Sequence, residues 1–394
     1  SGNVRHNLTW LGNDGTFSSA KRVNLPLNRP VAVDVTVKPG DGQHSAILRI
    51  DDPATPVVDH EVLNTVIVSS TPARPDYSFR ARGSVDRNGY TSYFVVVPEG
   101  ATALQVNLSG IATGSHTRFI AINSWGVPAE STSSLNCYTN FSDPNVCKPQ
   151  ERSYENPLPG VWEIEVESRR TSPSLNNPFQ LTARIQGVTV EPETVELPEV
   201  TAGQPAPVSW TVTNAFGPVT VTGQGGPLGS AQVSRPTIAD GETQTYTVEV
   251  PPGASRLDVA IGNTSDLAAD LDLFVRRNGA IVGQDADGDS EESVSIANPP
   301  AGTYQVEVDG FAVPAGTTEF DYRDVFFSPA LGEVAASGAE AVLPHGHAAV
   351  IDGAVTALAV PAAGRQLFGE MLVVTDEGAV VGRGNVRIGA VVAG

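Results

Sequence analysis

The segment Asn298-Pro-Pro-Ala-Gly-Thr-Tyr-Gln-Val-Glu-Val308 joins a Pro- and Gly-containing turn to a strand. Its large hydrophobic residues, Tyr304, Val306 and Val308, alternate with polar ones, which is the pattern of a strand with one buried face. The same alternation, interrupted by Gly, Pro, Asn and Asp, runs through almost the whole chain. No window of helical length keeps an amphipathic stripe. The sequence therefore predicts an all-β protein built from several β-sandwiches in tandem.

An internal repeat sets the domain plan. Residues 156–166, Asn-Pro-Leu-Pro-Gly-Val-Trp-Glu-Ile-Glu-Val, have the same turn and strand as the segment above. A second matched pair lies upstream of these two segments, namely Val97-Pro-Glu-Gly-Ala-Thr-Ala-Leu-Gln-Val106 and Val250-Pro-Pro-Gly-Ala-Ser-Arg-Leu-Asp-Val259. Because the matches occur in the same order and only twice, we interpret them as a duplicated domain rather than a solenoid.

Shorter segments lie between and around the two copies, with the short strands and frequent turns of small sandwiches. We therefore expect two longer jelly-roll-like sandwiches that alternate with smaller fibronectin- or immunoglobulin-like ones. The predicted domains are residues 1–70 (fibronectin-like), 71–189 (jelly-roll-like, with both cysteines), 190–241 (a small immunoglobulin- or fibronectin-like segment), 242–328 (the second long sandwich) and 329–394 (fibronectin-like).

The chain is strongly acidic. Its 394 residues include 24 Lys and Arg against 44 Asp and Glu, for a formal net charge of −20. Nucleic acids and anionic membrane surfaces both require a basic face, so neither is an expected partner. No apolar run reaches the length of a membrane-spanning helix. The sequence starts at Ser1-Gly2 without an initiator Met or a signal peptide, and we expect it to be part of a longer protein.

Two cysteines, Cys137 and Cys147, lie in the polar loop Cys-Tyr-Thr-Asn-Phe-Ser-Asp-Pro-Asn-Val-Cys. No His or third Cys is near enough in the sequence to complete a zinc ligand set, and a redox pair would favour a Cys-x-x-Cys spacing. We expect a structural disulfide between them, which implies an oxidising, extracellular compartment.

The motifs of hydrolytic enzymes are missing from the sequence. There is no Gly-x-Ser-x-Gly nucleophile elbow. Residues 60–64 read His-Glu-Val-Leu-Asn, so Asn64 stands where a zinc protease has its second His, in a segment that predicts a strand. His345 and His347 flank a single Gly, a pattern more typical of a surface turn than of a metal site. We therefore predict no catalytic residue and no enzymatic activity in this chain.

Five carboxylates form a candidate metal site in the second long domain. Asp270 and Asp272 lie on one face of a predicted strand, and a short acidic segment follows soon after it. A hairpin would gather Asp270, Asp272, Asp285, Asp287 and Asp289, and Ca²⁺ prefers such oxygen ligands. The spacing is not that of an EF-hand loop. The alternative is a solvated acidic loop on an acidic protein, and the sequence leaves both interpretations open.

Aromatic side chains are the other candidates for ligand contact. Trp162 and Tyr304 occupy equivalent strand positions in the two copies, which favours the core over a binding platform. Trp125 lies in the turn-rich stretch Asn-Ser-Trp-Gly-Val-Pro, before the cysteine loop. We interpret Trp125 as a candidate binding residue, with a structural role as the alternative.

Several segments resemble parts of secreted bacterial subtilisin-like serine proteases. Residues 46–55, Ala-Ile-Leu-Arg-Ile-Asp-Asp-Pro-Ala-Thr, followed by Val62-Leu-Asn-Thr-Val66, are similar to the fibronectin-like segment that follows the catalytic domain. Phe94 to Gly100 is similar to the galactose-binding-like sandwich of tripeptidyl-peptidase-II-type subtilases. Asp270-Leu-Asp-Leu273, Glu292-Ser-Val and residues 300–308 resemble the bacterial pre-peptidase C-terminal domain.

The resemblance implies an accessory role rather than catalysis. A subtilisin triad needs Asp-Ser/Thr-Gly, His-Gly-Thr and Gly-Thr-Ser-Met-Ala contexts, and none of these occurs here. The expected function is that of a non-catalytic C-terminal region of a secreted subtilisin-like protease, with the catalytic domain of the same precursor as its partner. The alternative is an extracellular carbohydrate- or protein-binding module or adhesin. An upstream catalytic domain would favour the first, and repeated modules or a cell-wall anchor the second.

Overall fold

The computed structural model describes residues 3–130, 136–143 and 146–394. These residues form β-strands joined by turns, with a 3-10 turn at Pro329–Leu331, so the predicted all-β class is confirmed. The chain divides into two compact units, residues 1–187 and 188–394. No helix in the described part of the chain is long and apolar enough to cross a membrane.

The strands are numbered in chain order. Those of the first unit are β1 (Asn3–Leu11), β2 (Phe17–Ser19), β3 (Arg22–Pro26), β4 (Val35–Val37), β5 (Gly42–Asp51), β6 (His60–Val68), β7 (Ser78–Asp86), β8 (Tyr90–Val97), β9 (Ala103–Ser109), β10 (Thr117–Ile122), β11 (Glu151–Glu155), β12 (Gly160–Ser168) and β13 (Asn176–Gln186). Those of the second unit are β14 (Val188–Glu191), β15 (Thr194–Leu197), β16 (Val200–Thr201), β17 (Ala206–Asn214), β18 (Val219–Gln224), β19 (Gly229–Ser234), β20 (Thr237–Ala239), β21 (Thr243–Val250), β22 (Arg256–Gly262), β23 (Asp270–Arg277), β24 (Ala280–Asp285), β25 (Ser293–Ala297), β26 (Gly302–Ala312), β27 (Thr317–Glu319), β28 (Asp321–Phe327), β29 (Gly332–Ala336), β30 (Ala341–Leu343), β31 (Ala348–Ala357), β32 (Gln366–Thr375), β33 (Val380–Ile388) and β34 (Val391–Val392).

The first unit contains a small N-terminal domain and a long sandwich. The N-terminal domain has a sheet in the order β3-β1-β5-β6 and the separate pair β2-β4. The long sandwich is built from the sheets β10-β12-β8 and β11-β9-β13-β7. Trp162, Ile164 and Val166 alternate inward along β12 and are buried, as the period-two pattern requires.

The second unit contains a long sandwich with the same plan. Its sheets include the strand orders β23-β26-β21 and β25-β22-β28-β19, which repeat the orders β10-β12-β8 and β11-β9-β13-β7 strand for strand. Tyr304 lies on β26 where Trp162 lies on β12, and both side chains are buried in the core as predicted. The shared strand order supports a duplicated domain. The second copy adds the edge strand β24, which pairs with β23, and the short strand pair β20-β27.

Residues 190–241 and 329–394 share their sheets. Strand β17 pairs with β31, and β18 pairs with both β30 and β32, so the two segments contribute strands to the same sheets. Strand β19 pairs with β28 on one side and β32 on the other. One sheet therefore continues from the second long sandwich into residues 329–394, which we call the flanking segment. We therefore propose to count the two segments together, except for β19, which also belongs to the second long sandwich. The other boundaries of the five-domain division stay a prediction.

Candidate metal centre

A group of three carboxylates lies at the loop that joins β24 to β25. Asp285 ends β24, Asp287 is exposed in the loop, and Glu292 directly precedes β25. One carboxylate oxygen from each residue lies within 4.8 Å of the corresponding oxygens of the other two. Among the described residues, no Lys or Arg forms an ion pair with these three carboxylates. We call this group the acidic trio.

Backbone amides hold each member of the trio in place. Asp285 Oδ2 accepts from the amide of Ser293 at 3.0 Å, and Asp287 Oδ1 accepts from the amide of Asp289 at 3.1 Å. Glu292 Oε1 accepts from the amide of Asp287 at 3.3 Å. The carboxylates are thus fixed by the loop backbone before any ligand arrives.

Glu292 is the unusual member because it is buried. Its relative exposure is only 1%, and its Oε2 atom has no hydrogen-bond partner. Burial, together with the hydrogen bond and charge of neighbouring Asp285, raises the pKa of Glu292 to about 8. An ionised carboxylate at this position is therefore disfavoured unless a positive charge accompanies it.

Glu292 is not among the metal ligands predicted from the sequence, although the strand pattern that follows it indicates a buried position. Glu292 has the same parity as Val294 and Ile296 on β25, and Val294 is buried. Period-two alternation extended one step back from the strand therefore directs Glu292 inward. The residue was counted with the acidic loop rather than with the strand that follows it.

The other three predicted metal ligands lie outside the trio. Asp272 is opposite Asp309 of β26, and burial, with Asp270 and Asp309 next in importance, raises the pKa of Asp272. Asp270 has one buried carboxylate oxygen, Oδ1, without a hydrogen-bond partner. Asp289 uses Oδ1 to accept from the amide of Glu291 at 2.8 Å. Of the five predicted carboxylates in the described part of the chain, Asp285 and Asp287 are the two that converge within 4.8 Å in a group of three, and the third member is Glu292.

The first copy has an ion pair where the second has two acids. Glu167 and Asp309 each lie five positions after the matched aromatics Trp162 and Tyr304. Glu167 faces Arg118 across β10 and β12, and the two side chains form an ion pair. At the position where the first copy pairs Arg118 with Glu167, the second copy therefore has two acids, Asp272 and Asp309, opposite each other.

The predicted disulfide is confirmed between Cys137 and Cys147, whose Cα atoms are 6.0 Å apart. Its loop packs on the first long sandwich through aromatic contacts. The Arg169 guanidinium lies 3.9 Å from the ring centre of Phe141, and Arg118 lies 4.8 Å from that of Tyr138.

Trp125 lies at the tip of a tight turn after β10. Asn123 Oδ1 accepts from the amides of Trp125 and Val127, both at 3.0 Å, which fixes the turn. The Trp125 side chain is 74% exposed. It is available for contact with a ligand, as the prediction requires, but no ligand is identified by its surroundings.

Comparisons with known proteins connect this architecture to proteases. Residues 1–68 match the family described as the Ig-like domain in actinomycete serine proteases, and residues 242–310 match the bacterial pre-peptidase C-terminal domain. Pyrolysin from Pyrococcus furiosus is 27% identical over 270 residues, which cover 67% of this chain and 18% of pyrolysin. The chain resembles the C-terminal accessory region of subtilisin-like serine proteases. The resemblance seen in the sequence is confirmed.

The fold of this chain has a solved counterpart. The crystal structure of tripeptidyl peptidase 2 superimposes with a TM-score of 0.54 at 14% identity, covering 98% of this chain and 36% of that one. At this identity the likeness concerns the fold alone. The chain spans less than half the length of each of these two relatives, and the Ig-like and pre-peptidase domains that it matches are accessory rather than catalytic.

Proposed function

We propose that this chain is the non-catalytic C-terminal accessory region of a secreted subtilisin-like serine protease, which stabilises the catalytic domain of the same precursor or holds substrate near it. The observation that carries the proposal is the order of two matched modules, an Ig-like domain of actinomycete serine proteases followed by a pre-peptidase C-terminal domain. The disulfide supports an extracellular location, since disulfides persist in oxidising compartments.

One histidine pair supports the absence of catalysis. His44 Nδ1 lies 2.6 Å from Asp14 Oδ2, as in the base and orienting acid of a hydrolase. The other ring nitrogen, Nε2, lies 3.1 Å from the carbonyl oxygen of Gly40, which is not a nucleophile. Such a pair cannot activate a hydroxyl or a thiol and serves to hold the loop.

The proposal is tested by comparing the precursor with a version that lacks these residues. We expect the shortened protease to hydrolyse a tripeptide anilide but to lose activity faster on heating. The isolated chain should hydrolyse neither casein nor the anilide, and a serine-directed fluorophosphonate should not label it. Stoichiometric labelling of the isolated chain, or a shortened protease with unchanged heat resistance and casein hydrolysis, would contradict the proposal.

A binding role is the second candidate, and the exposure of Trp125 favours it. A flat, exposed indole at a rigid turn suits stacking on a sugar ring or on an apolar protein side chain. Trp125→Ala should then weaken retention on the glycan or protein bound by the intact chain, with Val127→Ala as the matched control. Equal retention of both variants and the native chain would rule out a contact at Trp125.

A further inference from the structure

We propose that the acidic trio Asp285, Asp287 and Glu292 is a calcium site that clamps the open edge of the second long sandwich. The inference goes beyond the accessory function, because it assigns a ligand to named residues and does not depend on a parent protease. Its basis is geometric: three carboxylates that converge, of which the buried one has an oxygen without a partner.

The donor set suits calcium. Ca²⁺ takes six to eight oxygen ligands with flexible geometry, and it accepts carboxylates together with water. The trio supplies three carboxylates, and the exposure of Asp287 leaves water free to complete the shell. Cysteine and histidine ligands, which zinc prefers, are absent from this group. A hard divalent cation is thus the ligand that the site fits best.

Glu292 distinguishes the trio from an ordinary acidic loop. Solvated acids point to water, whereas Glu292 is 1% exposed and has Oε2 unpaired. An unpaired buried carboxylate oxygen is costly, and a bound cation removes that cost. No guanidinium or ammonium group in the described part of the chain pairs with Glu292 to do so.

The duplicated domain offers an internal comparison. In the first copy the interval between β10 and β11 holds the disulfide loop, where the amide of Thr139 donates to the carbonyl of Thr117 at 2.9 Å. In the second copy the interval between β23 and β25 holds the acidic loop, and the amide of Leu271 donates to the carbonyl of Asp289 at 3.3 Å.

Thr117 and Leu271 are equivalent positions, because each precedes a member of the matched pair Arg118 and Asp272. The two loops therefore contact equivalent strand positions, and the proposed ion would hold the second loop as the disulfide holds the first.

The position of the loop gives the ion its effect. Strand β24 is the edge of the sheet β21-β26-β23-β24, and β25 is the edge of the sheet that contains β22 and β28. The trio takes Asp285 from the end of one edge strand and Glu292 from the start of the other. Calcium bound to both would tie the two sheets together and stabilise the native state by mass action.

The test uses the full chain with calcium chloride as the probe. Calorimetric melts are recorded in EDTA, in Ca²⁺, in Mg²⁺ and at matched ionic strength, and calcium binding is measured by titration calorimetry. Calcium at 100 times its dissociation constant favours the native state about 100-fold and should raise the melting temperature of the second unit by about 5–10 °C. Titration should give one strong site that Glu292→Gln removes.

The controls separate a site from general screening. Glu291→Gln removes a neighbouring acid outside the trio and should keep both the binding and the melting shift. Glu292→Gln should melt in EDTA no lower than the native chain, because it replaces a buried acid beside Asp285 with an uncharged side chain of the same size. If that variant does not fold, Asp287→Asn, which keeps the acceptor for the Asp289 amide, provides the same comparison. Equal shifts with Mg²⁺, or calcium binding that survives these substitutions, would overturn the proposal.

Discussion

Arg365 donates to the fully buried Asp324, with Nη2 2.5 Å from Oδ1. The same guanidinium donates to the Ser230 carbonyl at 2.6 Å, and Tyr322 donates its hydroxyl to Asp324 Oδ2 at 3.0 Å. Asp324 lies on β28 of the second long sandwich, and Arg365 directly precedes β32 of the flanking segment. The pair therefore joins these two parts of the second unit at the sheet that they share.

Arg365→Leu should destabilise the second unit by about 3 kcal/mol at pH 7, because it leaves the Asp324 carboxylate buried without a cation. Burial already raises the pKa of Asp324, and Arg365 opposes that rise. The loss should shrink at acid pH, where Asp324 can bind a proton. Urea unfolding measures the effect, and Arg387→Leu, which breaks the exposed pair with Glu196, should cost less than about 1 kcal/mol. Equal losses in the two variants would show that burial of the pair is unimportant.

Asp272→Asn should stabilise the second unit by about 0.5–1 kcal/mol at neutral pH, because it removes repulsion with Asp309 across the strands. The pKa of Asp272 is raised in the folded state, so its ionisation lowers the free energy of unfolding as the pH rises. The gain should vanish at a pH low enough to protonate Asp272 in both states. Thermal melts at several pH values check this.

The mirror experiment uses the first copy. Arg118→Asp would place two acids opposite each other, as in the second copy, and should cost more than about 1 kcal/mol in thermal melts, because it also removes the contact of Arg118 with Tyr138. If Asp272→Asn instead abolished the rise in melting temperature that calcium causes, Asp272 would belong to the metal site, as the sequence predicts.

The first unit should be most stable in a weakly acid window set by His44 and Asp14. Their hydrogen bond raises the pKa of His44 above its ordinary 6.5 and lowers that of Asp14 below its ordinary 3.8. The His44 contribution is fully present below pH 6.5 and disappears as the pH rises through the raised pKa. The Asp14 contribution disappears as the pH falls from 3.8 towards the lowered pKa. His44→Gln should make the melting temperature of the first unit depend less on pH. An unchanged pH dependence would contradict the assignment.

Cys137→Ser combined with Cys147→Ser should destabilise the first unit by about 2–3 kcal/mol, because the unfolded chain regains the freedom of the closed loop. Non-reducing alkylation followed by intact mass should find no free thiol in the native chain. The melting transition of the second unit serves as the internal reference. Two alkylated thiols before reduction would contradict the bond.

Local patterns predicted strands such as β12 and β26 well, because in each of them buried residues alternate with more exposed ones. Tyr304 and Trp162 lie in the core as their alternation requires. The pairing of β17 with β31 was not predicted, since nothing in either segment specifies a partner more than a hundred residues away.

The candidate site was predicted in part for a related reason. The acidic composition of the loop indicates Asp285 and Asp287 as candidates, but composition alone does not show which way a side chain faces. A hairpin is expected to bring Asp270 and Asp272 to the same site, but the sequence does not show that β23 places Asp272 opposite Asp309. Glu292 can be predicted only when the period-two alternation of β25 is extended one residue back into the preceding loop.

The position of strand β28 also limits which gene segments can encode a complete second long sandwich. The family match to the pre-peptidase domain ends at residue 310, yet Phe320 and Tyr322 lie in the same hydrophobic core and β28 pairs with β22. Beyond β28, the sheet passes through β19 to β32. A gene segment cut at the family boundary would encode a sandwich without one of its central strands. Recombination that preserves folding must therefore exchange the second unit, residues 188–394, as one cassette.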